Sequence, residues 1–92
     1  MQYIKKESEA YKIFDETPTA EDQLIIDQNL AQLLNYLKQL KPHYQEIINL
    51  RYFREMSYKE MADKLNEPMS NIKVKLLRAK KLLAEIIEKS SK

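Results

Sequence analysis

Glycine is absent from the 92 residues of this chain, and only three prolines interrupt it. Tight hairpin turns rely on glycine for backbone angles that other residues resist, so a hairpin-rich sheet is difficult to build without it. Lysine, glutamate, leucine, isoleucine, glutamine and alanine are abundant instead, and most of these residues favour helices. The sequence therefore predicts an all-α fold.

The length and the missing residue types limit the function. A chain of this size holds one domain with a modest core. Cysteine is absent and His43 is the only histidine, so thiolate or imidazole metal sites and histidine-based catalysis lack their residues. No nucleophile–base pair or phosphate-binding loop is apparent, and no apolar run is long enough to span a membrane. We expect a soluble, cytoplasmic monomer that is not an enzyme, needs no cofactor and does not bind membranes.

The charges are unevenly distributed along the chain. Residues 1–35 carry three lysines against seven acidic residues, a net charge of −4, whereas residues 69–92 carry seven basic residues against two glutamates, a net charge of +5. A basic segment can contact a polyanion such as DNA. It can equally be a solvated helix face, so the charge pattern alone leaves both interpretations open.

The N-terminal part of the chain predicts a linker followed by one helix. Residues 1–19 mix scattered apolar residues with charges, and we interpret them as an inter-domain linker or flexible segment. Thr19 is typical of a helix N-cap and precedes the predicted domain, residues 20–89. The apolar residues that follow recur at alternating spacings of four and three: Ile26, Leu30, Leu33, Leu37 and Leu40. This spacing predicts a single amphipathic helix.

Two shorter helices are predicted next. Pro42 suits the first position of a helix, which we expect to end near residue 55. Ser57 begins the following helix with Glu60 three residues later, the pattern of a capping box. That role explains Glu60 without invoking any partner. Asn66 tolerates the left-handed backbone that ends a helix, and the proline two residues later cannot continue one.

The last helix is predicted from Met69 or Ser70 to about Glu88, and residues 90–92 read as a tail. Its buried stripe is Ile72, Leu76, Ala79, Leu83 and Ile86. A short helix, a tight turn and a second helix that begins with small polar residues form the layout of a helix-turn-helix. The sequence therefore predicts four helices, of which the last is the candidate recognition helix.

The outward face of this last helix is the candidate DNA-binding surface. With Ile72 at the centre of the buried face and about 100° per residue, small polar, cationic and apolar residues point outward or lie on the flanks. They are Ser70, Asn71, Lys73, Val74, Leu77, Arg78 and Lys81. A valine in this position suits the methyl group of thymine.

Several short motifs between Leu40 and Leu83 form one pattern that covers about half of the chain. They are Leu40 with Pro42, Ile47-x-x-Leu50-x-Tyr52, Ser57-Tyr58-x-Glu60-Met61-Ala62, Pro68 followed by Asn71-Ile72-Lys73, and Arg78-Ala79. At this consistent spacing the stretch resembles region 4 of the sigma-70 family of RNA polymerase sigma factors, especially the extracytoplasmic-function type.

This resemblance implies a domain that binds the minus-35 promoter element of duplex DNA with its last helix and the β-flap of the RNA polymerase core with earlier helices. By position, the DNA-facing residues are Ser70, Asn71, Lys73, Val74, Lys75 and Arg78. Many family members carry Thr in place of Asn71 and Ser in place of Val74, so the base preference cannot be inherited. The resemblance also implies a longer factor with a preceding domain that binds the polymerase clamp.

Two other functions remain open on sequence grounds. The output domain of a response regulator shares the four-helix plan, although its last helix usually has a Val-x-x-His pattern and a Lys-Leu end, whereas here Arg78-Ala79 follows Lys75-Leu76. A helix-turn-helix that binds a protein, such as an anti-sigma factor, instead of DNA also fits. Salt dependence separates these cases, because a DNA-binding protein loses affinity in proportion to the phosphates it contacts.

Overall fold

The computed structural model describes residues 18–90, which form five α-helices. They are α1 (Ala20–Ile26), α2 (Leu30–Leu37), α3 (Pro42–Ile48), α4 (Tyr58–Leu65) and α5 (Met69–Ser90). The prediction of an all-α fold is confirmed. Residues 1–17, most of the predicted linker, and residues 91–92 of the predicted tail lie outside the described residues, so the domain boundaries remain predictions.

The predicted first helix is in fact two helices, which makes the prediction of four helices wrong. The side chain of Asn29 accepts a hydrogen bond from the backbone N–H of Gln32 at 2.8 Å and so caps the start of α2. Because a new helix begins after Asn29, the residues that face the core before this break are shifted by one position from the predicted stripe. Ile25 is fully buried, whereas Ile26 and Leu30 are 62% and 59% exposed. The local hydrogen bond of the cap has overridden the apolar spacing.

Helix α5 is the element on which α1, α2, α3 and α4 all pack. Four residues of its predicted stripe are buried, namely Ile72, Leu76, Ala79 and Leu83. Ile86 is only half-buried, and Ile87 takes the core position instead, because a spacing of 3.5 residues drifts relative to the helical repeat of 3.6. None of the helices in residues 18–90, α5 included, has the length and apolar character that a membrane span requires.

The turn between α4 and α5 follows the predicted chemistry. The backbone N–H of Ser57 donates to Oε1 of Glu60 at 2.7 Å, and the N–H of Glu60 donates to Oγ of Ser57 at 3.1 Å. Asn66 adopts the left-handed conformation, with φ 57° and ψ 45°. The N–H of Glu67 then donates to the carbonyl of Ala62 at 3.0 Å. These contacts confirm the predicted start and end of α4 and fix how α5 leaves it.

Helix α3 ends in an unusual way, because it passes directly into a π-helical turn at Asn49–Phe53. Such turns insert extra backbone into a helix and are often found near functional sites. The turn directs Tyr52 towards α1, where its hydroxyl donates to a carboxylate oxygen of Asp22. The π-helical turn thus supplies one of the contacts that hold α1.

Candidate nucleic-acid interface

The N-terminal half of α5 presents its predicted outward face to solvent. Val74 and Leu77 are 46% and 44% exposed although both are large and apolar. Of the polar and basic residues around them, four are exposed and two are half-buried: Ser70, Asn71, Arg78 and Lys81, then Lys73 and Lys75. Exposed apolar side chains among cations suit a surface that a partner covers in a complex.

Four of the six predicted DNA-facing residues line one shallow concavity: Asn71, Val74, Lys75 and Arg78. Ser70 and Lys73 do not line it. The structure therefore brings an amide, an apolar group and two cations together on one surface. These are the groups that contact adenine, the thymine methyl and guanine or phosphate, respectively, in a major groove.

The remaining walls of this concavity come from other elements. Glu67 lies in the turn before α5, and His43 and Tyr44 lie in the first turn of α3. His43 is exposed, and its position beside α5 was not predicted. Nothing in the local sequence around His43 indicates this position, because it depends on how α3 packs against α5.

Lys75 forms an ion pair within the concavity. Its Nζ lies 2.8 Å from Oε2 of Glu67, and the two side chains are 24% and 30% exposed. The ammonium group is therefore already held by a carboxylate that sequence reasoning did not include in the site. Glu67 was missed because an acidic residue is unexpected on a DNA-facing surface.

A second candidate surface is an apolar groove between α2 and α3. Its lining includes Leu30, Ala31, Leu34, Pro42, Gln45 and Phe53. Three of these are large apolar residues that remain exposed, namely Leu30, Leu34 and Phe53. A groove of this kind is typical of a surface that binds an apolar protein segment.

Helix α1 is joined to α5 by a buried polar network centred on Asp22. Lys80 is only 3% exposed, and its Nζ donates to Oδ2 of Asp22 at 2.9 Å and to Oγ1 of Thr19 at 3.2 Å. The hydroxyl of Tyr52 donates to the other carboxylate oxygen. Lys80 therefore belongs to the interior and adds no cation to the predicted DNA-facing surface.

The buried network shifts the pKa values of Asp22 and Tyr52 in opposite directions. Burial favours the neutral form of Asp22, but hydrogen bonds from Tyr52, Lys80 and Thr19 outweigh it and hold the pKa of this carboxyl below its usual value. Burial, followed by the hydrogen bond to Asp22, raises the pKa of the Tyr52 phenol far above its usual value. The phenol therefore stays protonated and remains a hydrogen-bond donor to the carboxylate.

Residues 30–83 match the family model for sigma-70, region 4. The matched segment is more than half of the chain and extends from the start of α2 into the C-terminal half of α5. It contains all six predicted DNA-facing residues and the apolar groove, and it leaves α1 outside. No curated protein and no solved structure matches the chain.

Proposed function

The chain belongs to the sigma-70 region 4 family, and from this premise we propose that it reads the minus-35 promoter element while it docks on the β-flap of RNA polymerase. Region 4 is a DNA-binding domain of sigma factors and not a known enzyme family. This membership favours a sigma factor over the output domain of a response regulator. We assign the DNA contacts to Ser70, Asn71, Lys73, Val74, Lys75 and Arg78.

The observation that carries the DNA-binding proposal is the exposed, mixed surface at the start of α5. Asn71, Val74 and Arg78 line one concavity and lie within three turns of the helix. Base edges in a major groove are read by a few side chains at the N-terminal end of a recognition helix. The exposure of Val74 has no explanation in the packing of the domain, whereas contact with a thymine methyl accounts for it.

The apolar groove between α2 and α3 supports the flap-docking part of the proposal. Leu30, Leu34 and Phe53 provide an apolar surface, which fits a short amphipathic segment of a partner. An anti-sigma factor is the second candidate ligand of the same groove, because an anti-sigma factor bound there would prevent the flap from binding. We further propose a cytoplasmic monomer in which residues 20–89 form the domain, residues 1–19 a linker and residues 90–92 a tail.

The first experiment is a selection from a random duplex library. The chain is fused to the β-flap segment of its polymerase and incubated with the library at moderate salt, and the retained DNA is sequenced. We expect a short enriched motif that changes when Asn71 or Arg78 is replaced by Ala. Flap binding without any enriched motif would contradict promoter reading and favour an interaction module.

Binding and stability must be measured on the same variants. Replacing Lys73 and Arg78 by Ala is expected to weaken duplex binding with little change in the melting temperature, because Arg78 is exposed and Lys73 is half-buried at the edge of the outward face, away from the core stripe. The slope of log affinity against log salt should decrease by about 0.9 for each phosphate that the variant no longer contacts. A collapse of the melting temperature would show that these residues are structural.

Docking on the flap is tested separately. Replacing Leu34 by Asp places a charge in the groove and should abolish binding to the isolated flap segment. Replacing Leu82 by Asp is the matched control, since Leu82 is also an exposed leucine but lies on α5, outside the groove. Equal flap binding by both variants would reject this groove as the docking site.

A further inference from the structure

The ion pair of Lys75 with Glu67 places a hydrogen-bond donor and an acceptor side by side in the wall of the concavity. The Nζ and Oε2 atoms are 2.8 Å apart, and both residues line the same surface as Asn71, Val74 and Arg78. An ammonium group has three donors, and a carboxylate accepts several hydrogen bonds. Each partner therefore keeps hydrogen-bonding capacity for a third group after the pair has formed.

The pair has a fixed position relative to α5. Glu67 lies in the short turn that the left-handed Asn66 and the hydrogen bond to Ala62 close. Lys75 lies two turns into α5, on the same surface as Asn71. Because both side chains are more than two-thirds buried, their order along the surface is set before any ligand arrives.

The major-groove edge of a G·C base pair has the complementary arrangement. Guanine offers the acceptors N7 and O6, and cytosine offers the N4 amino donor. O6 and N4 are themselves joined by a base-pairing hydrogen bond, so they lie about 2.9 Å apart. This separation matches that of the two charged atoms in the ion pair.

We propose that the Lys75–Glu67 ion pair reads one G·C base pair, with Lys75 donating to guanine and Glu67 accepting from cytosine N4, an inference that rests on the proposed reading of duplex DNA. An A·T pair is a poorer match. It places the adenine N6 donor between two acceptors, N7 and thymine O4. A carboxylate over N6 then lies beside the lone pair of N7, which repels it.

The role of Glu67 also follows from its unfavourable effect on the affinity for DNA. A carboxylate on a DNA-facing surface repels phosphates and lowers non-specific affinity. The ion pair with Lys75 reduces this repulsion. The carboxylate of Glu67 then makes a favourable contact with DNA only where a base offers a hydrogen-bond donor. Glu67 is therefore a specificity-determining residue, and its removal should change affinity and specificity in opposite directions.

The first test compares Glu67→Ala with Glu88→Ala in the duplex selection. The two changes add the same charge, but Glu88 is an exposed residue near the C-terminal end of α5. We expect Glu67→Ala to bind random duplex more tightly. Its preference for G·C at a single position should fall about tenfold, which is within the range for a good base contact. An unchanged preference in Glu67→Ala overturns the inference.

The second test exchanges the charges in the double variant Glu67→Lys with Lys75→Glu. The ion pair is kept, but donor and acceptor change places, so the preferred pair at that one position should invert from G·C to C·G while the rest of the motif stays. A motif that is unaltered, or a position that becomes neutral, overturns the inference and leaves promoter reading intact. Absence of any motif in the unaltered chain rejects both.

Discussion

Nζ of Lys80 lies 2.9 Å from Oδ2 of Asp22, in a buried ion pair between α5 and α1. Asp22 also accepts hydrogen bonds from the backbone N–H and the hydroxyl of Thr19 at 2.7 and 3.0 Å. The same carboxylate therefore caps the start of α1 and anchors that helix to α5, which carries the predicted DNA-facing residues. Because α1 lies outside the segment that matches region 4, this network makes it an integral part of the folded unit.

Replacing Lys80 by Met should strongly destabilise the protein. The change leaves the carboxylate of Asp22 buried without its cation, which typically costs about 3–5 kcal/mol. Urea unfolding followed by circular dichroism measures the loss. Lys81→Met is the matched control, because Lys81 is the adjacent lysine and is exposed, and it should change the free energy of unfolding by less than about 0.5 kcal/mol. Equal stability of the two variants would show that the ion pair has no structural role.

The same network predicts a dependence of stability on acid pH. The pKa of Asp22 is lowered in the folded protein, so its contribution to stability is fully present above the pKa of the unfolded chain, about 3.9. It is lost as the pH falls through the lower pKa of the folded state. Thermal melting between pH 7 and pH 2 should therefore show a wider stability gap between the unaltered chain and Asp22→Asn at neutral pH than in acid. A gap that stays constant would contradict the assignment.

Two adjacent leucines of α5 should separate stability from binding. Leu76 is 1% exposed and packs in the core, whereas Leu77 faces solvent. Leu76→Ala is expected to lower the free energy of unfolding by about 2–5 kcal/mol, as a buried leucine loss typically does. Leu77→Ala should have little effect on unfolding and should weaken binding to the selected duplex. A stable Leu76→Ala variant would overturn the assignment of the buried stripe.

Replacing Glu55 by Gly should stabilise the protein. Its φ of 53° is left-handed, which costs a residue with a Cβ about 1–2 kcal/mol. The turn is held by the N–H of Met56, which donates to the carbonyl of Leu50 at 3.0 Å, and by Arg51, which donates to the carbonyl of Met56 at 2.8 Å. Glu55→Gly should therefore raise the melting temperature, whereas Glu55→Ala, which keeps the Cβ, should not. A lower melting temperature for Glu55→Gly would show that the turn is unstrained.

Much of the helix-turn-helix was predictable because its signals are local. The capping box of Ser57 and Glu60, the left-handed Asn66 and most of the apolar stripe of α5 depend on residues a few positions apart. The absence of glycine correctly excluded a hairpin-rich fold, but it also concealed the left-handed turn at Glu55, since the residue that usually indicates such a turn is missing. The break before α2 was missed for a related reason, because the cap at Asn29 competes with a regular apolar spacing.

The sequence by itself determined the all-α class, the helix-turn-helix and the outward face of α5, because capping and helical periodicity act over one or two turns. Only the tertiary structure decided which charges are buried and which surfaces meet. Asp22 and Lys80 are 58 residues apart in the chain, and His43 lies beside α5 only because α3 packs against that helix. A lysine in a basic segment looks the same in sequence whether it faces solvent or a buried carboxylate. Whether a charged side chain is buried or exposed depends on the partners that folding brings next to it.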